Sequence, residues 1–113
     1  MAAALPSLRL TRRYAASCEE VWAVLAEPQS LARWLGAPDV EAQPRAPEPL
    51  RALELDWQRK GEPESRVRIE LTPSDGGTLL VLDHTRLDAR VCMRYFTFWT
   101  ERVERLVARG AAA

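Results

Sequence analysis

The sequence predicts an α+β fold in which a curved antiparallel sheet grips a long C-terminal helix. Three observations predict it. Residues 90–109, RVCMRYFTFWTERVERLVAR, place Cys92, Tyr95, Phe96, Trp99, Val103, Leu106 and Val107 at steps of three and four, one side of a helix. Residues 50–86 hold three strand candidates in quick succession, two alternating and one apolar on both faces, with Asp75-Gly76 as a hairpin signal between the last two. Ahead of them stand one alternating run and two short helical patterns, so helices fall on one face of an antiparallel sheet.

In chain order, residues 7–15 alternate Leu8, Leu10, Arg12 and Tyr14 against Ser7, Arg9, Thr11 and Arg13, the pattern of a half-buried strand. Arg12 interrupts the apolar face, which places it at a rim or facing a pocket. Ser17 with Glu20 forms a capping box ahead of VWAVLA, so a helix spans 18–26 and buries Val21, Trp22 and Leu25. Pro28 disfavours helical geometry at Glu27 and opens a second helix, 28–35, with Leu31, Trp34 and Leu35 inward and Gly36 as its stop.

Residues 36–49, GAPDVEAQPRAPEP, lose backbone donors at Pro38, Pro44, Pro47 and Pro49, which excludes a central strand and predicts an extended, exposed connection, mobile in its middle. Strands then follow at 50–59 (Leu53, Leu55, Trp57 inward), 65–72 (Val67, Ile69, Leu71 inward) and 78–86. The last is apolar on both faces, Leu80 and Leu82 against Leu79 and Val81, and reads as a central strand covered on both sides for at least part of its length. Asp88 is the N-cap of the final helix, 89–109.

The 113 residues suit one domain that buries about 65% of its unfolded surface. Sixteen basic residues, all but Lys60 arginine, balance sixteen acidic ones, leaving no electrostatic footprint for nucleic acid or an anionic membrane. Cys18 and Cys92 lie in apolar helical patterns and form no metal pair, which implies a reducing compartment. With neither a signal-peptide pattern nor a spanning apolar run, the expectation is a cytoplasmic protein with no membrane span, and the excess of arginine over lysine with abundant alanine suggests a GC-rich bacterial genome.

The run SCEEVWAVLAEPQSLARWLG, then PLRALELDW, then ESRVRIELTPSDGGTLLVLDHTRL, and a final helix with Phe98-Trp99 resembles the START-related SRPBCC superfamily, and within it the homologues of the heat-shock protein 90 ATPase activator. The resemblance covers about Leu8 to Leu106. It implies a single domain over 1–113 with a helix-grip fold and a cavity that in many relatives holds an apolar small molecule or lipid. Trp34, Trp57, His84 and Trp99 match family positions. The pattern departs at 36–49, where the family has a β-hairpin. The sheet is therefore expected to lack about two strands, which leaves either a smaller, more open cavity or an exposed edge along 50–59 that invites pairing with a second copy.

Candidate chemistry is sparse. His84, the only histidine, is the best candidate for an acid or base, but a structural hydrogen bond accounts for it equally well. Glu54, Asp56 and Glu70 interleave with Arg66 and Arg68 as a solvated cross-strand ladder. No GxSxG, phosphate loop or metal-binding spacing is present, so no catalytic residue, cofactor or metal is assigned. The expected function is non-enzymatic binding of an apolar or amphipathic small molecule between sheet and C-terminal helix, walled by Trp34, Leu55, Trp57, Ile69, His84, Tyr95, Trp99 and Val103. Arg12 or Arg86, if pointed inward, supplies a polar end for a ligand carboxylate. The alternatives are a protein-interaction module, with a chaperone partner or a homodimer through the sheet edge, and an enzyme of the polyketide-cyclase kind.

Overall fold

The Asp75-Gly76 turn sets the frame: both residues have positive φ, 47° and 81°, as a tight hairpin turn requires, and Ser74 pairs with Gly77 across it. The computed structural model describes the backbone of residues 7–112 and the side chains of residues 7–106, so the predicted inward placement of Val107 lies outside the described residues. The elements are β1 (Leu8–Tyr14), α1 (Cys18–Ala26), α2 (Pro28–Leu35), β2 (Val40–Glu48), β3 (Ala52–Arg59), β4 (Ser65–Ser74), β5 (Gly77–Thr85), a 3-10 turn (Ala89–Val91) and α3 (Cys92–Ala112). All neighbouring strands are antiparallel, in the order β1-β5-β4-β3-β2.

Local signals set the boundaries. Ser17 Oγ accepts the Glu20 N–H at 3.2 Å and caps α1, Pro28 opens α2, and Gly36 closes it in the left-handed conformation at φ 56°. Asp88 caps the 3-10 turn through the Arg90 N–H at 2.8 Å, so the α-helix proper begins at Cys92 and not at 89. Gly77 lies where β5 passes β1: a Cβ there would meet the Tyr14 carbonyl oxygen at 2.0 Å, so only glycine permits the approach.

The proline-rich segment departs from expectation. Val40–Glu48 is a strand, paired with β3 from Val40↔Arg59 to Arg45↔Glu54, and the exposed edge runs along β2 instead of along 50–59. One strand stands where the resemblance implies a hairpin. The reason lies in register. The Lys60 N–H donates to the Asp39 carbonyl at 3.0 Å, so Glu41, Gln43 and Arg45 share that parity and bond to β3. Val40, Ala42 and Pro44 turn their backbone groups outward, where proline has no donor to lose. The Val40 N–H is taken by Ala37 O at 3.1 Å, leaving Ala42 as the only outward donor between Val40 and Pro44. Beyond that, Ala46 at φ 45°, Pro47 and a bulge between Arg45 and Glu48 end regular pairing.

Two smaller differences concern burial. Trp22 is half-buried at the core margin, not within it. β5 lies one strand in from the β1 edge, and Leu79 and Val81 on its outer face are half-buried, with no second layer over them among the described residues. The outer face of the sheet carries the expected ion-pair ladder: Arg68 to Glu54 at 2.7 Å and to Glu70 at 2.9 Å, and Arg45 to Asp56 at 3.1 Å.

Candidate functional site

Period-2 alternation turns Leu55, Trp57, Ile69 and His84 to the inner face of β3, β4 and β5, and helical spacing turns Tyr95, Trp99 and Val103 of α3 onto them. Trp34 joins from the end of α2. All eight predicted residues therefore meet in one core, each at most 4% exposed. They meet as close-packed rings: Trp57 to Trp99 at 5.1 Å, Trp34 to Trp99 at 5.9 Å, and His84 to Tyr95 at 4.5 Å between centroids. None of the eight lines any of the principal clefts on the described surface.

The polar atoms of this core are satisfied from within. Trp34 Nε1–H donates to Arg102 O at 2.6 Å, Trp57 Nε1–H to Tyr95 Oη at 2.9 Å, and Trp99 Nε1–H to His84 Nδ1 at 2.9 Å. Because Nδ1 accepts, the His84 proton sits on Nε2 and is donated to Ser65 Oγ at 2.8 Å. Burial pushes the His84 pKa down to about 3, so the ring is neutral near neutral pH with both nitrogens engaged. Tyr95 Oη–H donates to Glu62 Oε1 at 2.5 Å, and burial pushes the Tyr95 pKa up to about 12. Neither Arg12 nor Arg86 points inward: Arg12 pairs with Glu104 of α3, and Arg86 is exposed.

The apolar concavity lies beside this core. A cleft of about 660 Å³ opens between α2 and the edge strand β2, lined by Pro28, Leu31, Leu35, Val40, Ala42 and Pro44. Leu31 and Leu35 belong to the core at their inner sides, while Val40 and Ala42 are half-buried against it. Sequence reasoning missed these residues. The signal was present in VEAQPR, where Val40, Ala42 and Pro44 alternate with Glu41, Gln43 and Arg45. A further cleft of about 700 Å³ has a mixed lining, with Leu50, Leu71 and Pro73 beside Glu48, Arg51, Arg68 and Glu70, and Arg68 pairs with Glu48 and Glu70.

At the loop that joins α2 to β2, guanidinium groups gather. Arg59 Nε donates to Asp39 Oδ2 at 2.8 Å, and the Arg102 guanidinium lies 3.6 Å from the centre of the Phe98 ring while Nε donates to Leu35 O at 2.9 Å. These two arginines line a depression of about 720 Å³ with Pro38, Asp39, Met93 and Phe98. Among the described residues no group of histidine, cysteine and carboxylate side chains is placed to hold a metal ion, and no helix is long and apolar enough to cross a membrane.

No family model and no curated protein matches the sequence. Solved structures do match. CalU16 from Micromonospora echinospora is 25% identical over 89% of this chain and 71% of its own crystal-structure chain, with a TM-score of 0.79. DynU16, a protein of the dynemicin biosynthetic locus, is 22% identical over 90% of this chain, with a TM-score of 0.78. Aha1 from Colwellia psychrerythraea, a dimer in solution, is 11% identical over 94% of this chain and 96% of its own, with a TM-score of 0.76. This chain spans 46% of DynU16 and 65% of CalU16 in its solution form. Five antiparallel strands curved around a C-terminal helix, with two short helices between the first strand and the other four, thus give this chain the SRPBCC helix-grip fold, with Aha1-like proteins among its structural relatives.

Proposed function

We propose that this domain binds an apolar or amphipathic small molecule without transforming it, and that the apolar part of the ligand lies between α2 and β2. The carrying observation is the cleft itself: about 660 Å³, with walls from Leu31, Leu35, Val40, Ala42 and Pro44 and few polar groups, a size and lining suited to a small organic ligand. Trp34, Leu55, Trp57, Ile69, His84, Tyr95, Trp99 and Val103 then serve as the rigid floor against which α2 is held. An enzymatic reading through His84 has against it a neutral imidazole, fully buried, with both nitrogens bonded.

The test is native mass spectrometry of protein purified from its own host, followed by solvent extraction, on wild type and Ala42→Trp. A bound apolar molecule that disappears when the indole fills the cleft supports the reading. A molecule retained at full occupancy by Ala42→Trp contradicts it.

A second reading is self-association, which the dimeric state of Aha1 supports. With β2 nearly devoid of outward donors, the surface for it is α3, where Met93 is 77% and Phe96 48% exposed. Light scattering on wild type and Phe96→Glu decides: a dimer dissociated by the charge supports this reading, and a wild-type monomer at every concentration removes it.

A further inference from the structure

We propose that the loop Gly36–Asp39 carries an anion subsite, so that the ligand of the α2/β2 cleft is an amphipathic organic carboxylate whose charged end reaches Arg59 and Arg102. The inference deepens the binding reading and rests on it. Its geometry is independent of the cleft's apolar walls.

Gly36, Ala37 and Pro38 line both depressions, the apolar one between α2 and β2 and the cationic one on the flank of α3. A molecule crossing this short rim passes from aliphatic walls to guanidinium groups. The guanidinium groups of Arg59 and Arg102 both lie over the Phe98 ring, at 5.7 and 3.6 Å from its centre. Arg105 completes the cluster: it donates to Trp34 O at 3.2 Å and lies 3.8 Å from where a Cβ on Gly36 would sit.

Arg59 and Arg102 each have one acid beside them: Asp39 accepts from the Nε edge of Arg59 at 2.8 Å, and Glu101, 64% exposed, reaches Arg102 Nη1 at 3.4 Å, so the subsite's excess of positive charge comes from Arg105. Glu62 faces Tyr95 and stands 3.8 Å from Arg94. The remaining bonds of Arg102 run to the carbonyls of Leu35 and Phe98, which carry no net charge. The Arg102 pKa is lowered, first by burial and then by the field of Arg105; Glu101 opposes this, and Arg59 adds a smaller lowering. A carboxylate offsets the fields of the neighbouring arginines and matches the planar donor fork. The adjoining Pro38, Met93 and Phe98 favour an organic anion over a small, strongly hydrated one.

The experiment compares decanoate with decanol by isothermal titration calorimetry at neutral pH, in wild type, Arg59→Gln, Arg102→Gln and Ala42→Trp. The expected result is at least tenfold preference for decanoate in wild type, with the preference collapsing in Arg59→Gln. Arg102→Gln should behave alike; because Arg102 also packs on Phe98, its fold is checked by near-UV circular dichroism, and Arg59→Gln stands alone if packing is lost. Equal binding of the two probes overturns the anion subsite while leaving the cleft reading intact. If neither probe binds, or both bind Ala42→Trp as well as wild type, the cleft reading falls and the subsite with it. Inorganic phosphate displacing decanoate at equal concentration would contradict the organic-anion assignment.

Discussion

The grip interior and the α2/β2 cleft are both apolar, yet they differ in what they leave over. Inside the grip, each of Trp34, Trp57 and Trp99 gives its N–H to a protein acceptor, and His84 is bonded at both ring nitrogens. Among the described residues these ring nitrogens are all engaged, and the rings pack on one another at 4.5 to 5.9 Å between centroids. In the cleft the walls are aliphatic and proline side chains around open volume, and the charged groups stand at its rim. The lesson is that a fold known for cavities does not place its cavity. Where the hydrogen bonds close on one another the aromatic stripe is core; where an edge strand stops short of the helix layer, space remains.

If the interior is core, damage there must be expensive. Trp99→Ala removes a fully buried ring and orphans His84 Nδ1, and is expected to cost about 3–5 kcal/mol in urea unfolding; a loss below 1 kcal/mol would mean that the interior is a cavity after all. The histidine offers a subtler probe. Its pKa is about 3 folded against an ordinary 6.5. The neutral ring therefore contributes stability that is complete above pH 6.5 and lost progressively as pH falls from there towards 3. Between pH 7 and 5 the loss amounts to about 2 kcal/mol. In the folded protein the imidazole NMR signals should stay in the neutral form down to unfolding, and a titration centred near pH 6.5 would refute the buried pairing.

Gly77→Ala sharpens the same side of the comparison, since a Cβ driven against the Tyr14 carbonyl forces β1 from β5. About 1–3 kcal/mol is expected from thermal unfolding. The smallest effect belongs to the edge. Pro44→Thr restores an outward donor to β2 and should change stability by less than about 0.5 kcal/mol, while sedimentation should show new concentration-dependent association. Association unchanged from wild type would show that Pro44 does not guard that edge.

Much of this was legible in the sequence. Capping by Ser17, the Pro28 junction, the Asp75-Gly76 turn and the aromatic stripe are local signals, and the structure places them as the periodicities require. The strand at Val40–Glu48 was not legible, because proline forbids a strand only when its nitrogen faces a partner, and that parity depends on pairing with a strand further along the chain. The site was half legible for a related reason. Apolar periodicity identifies which face of an element is inward, as for Trp57 and Trp99, but whether the inward rings fill the interior depends on partners such as Ser65 and the Arg102 carbonyl that no spacing reveals.

The most direct test of the account is an NMR titration with decanoate that follows backbone amides and indole N–H signals together. The account predicts that the amides of Leu35, Val40 and Ala42 shift while the indole signals of Trp57 and Trp99 stay in place and protected from exchange. Shifts concentrated on those two indoles, with Val40 and Ala42 unmoved, would contradict it and return the ligand to the interior of the grip.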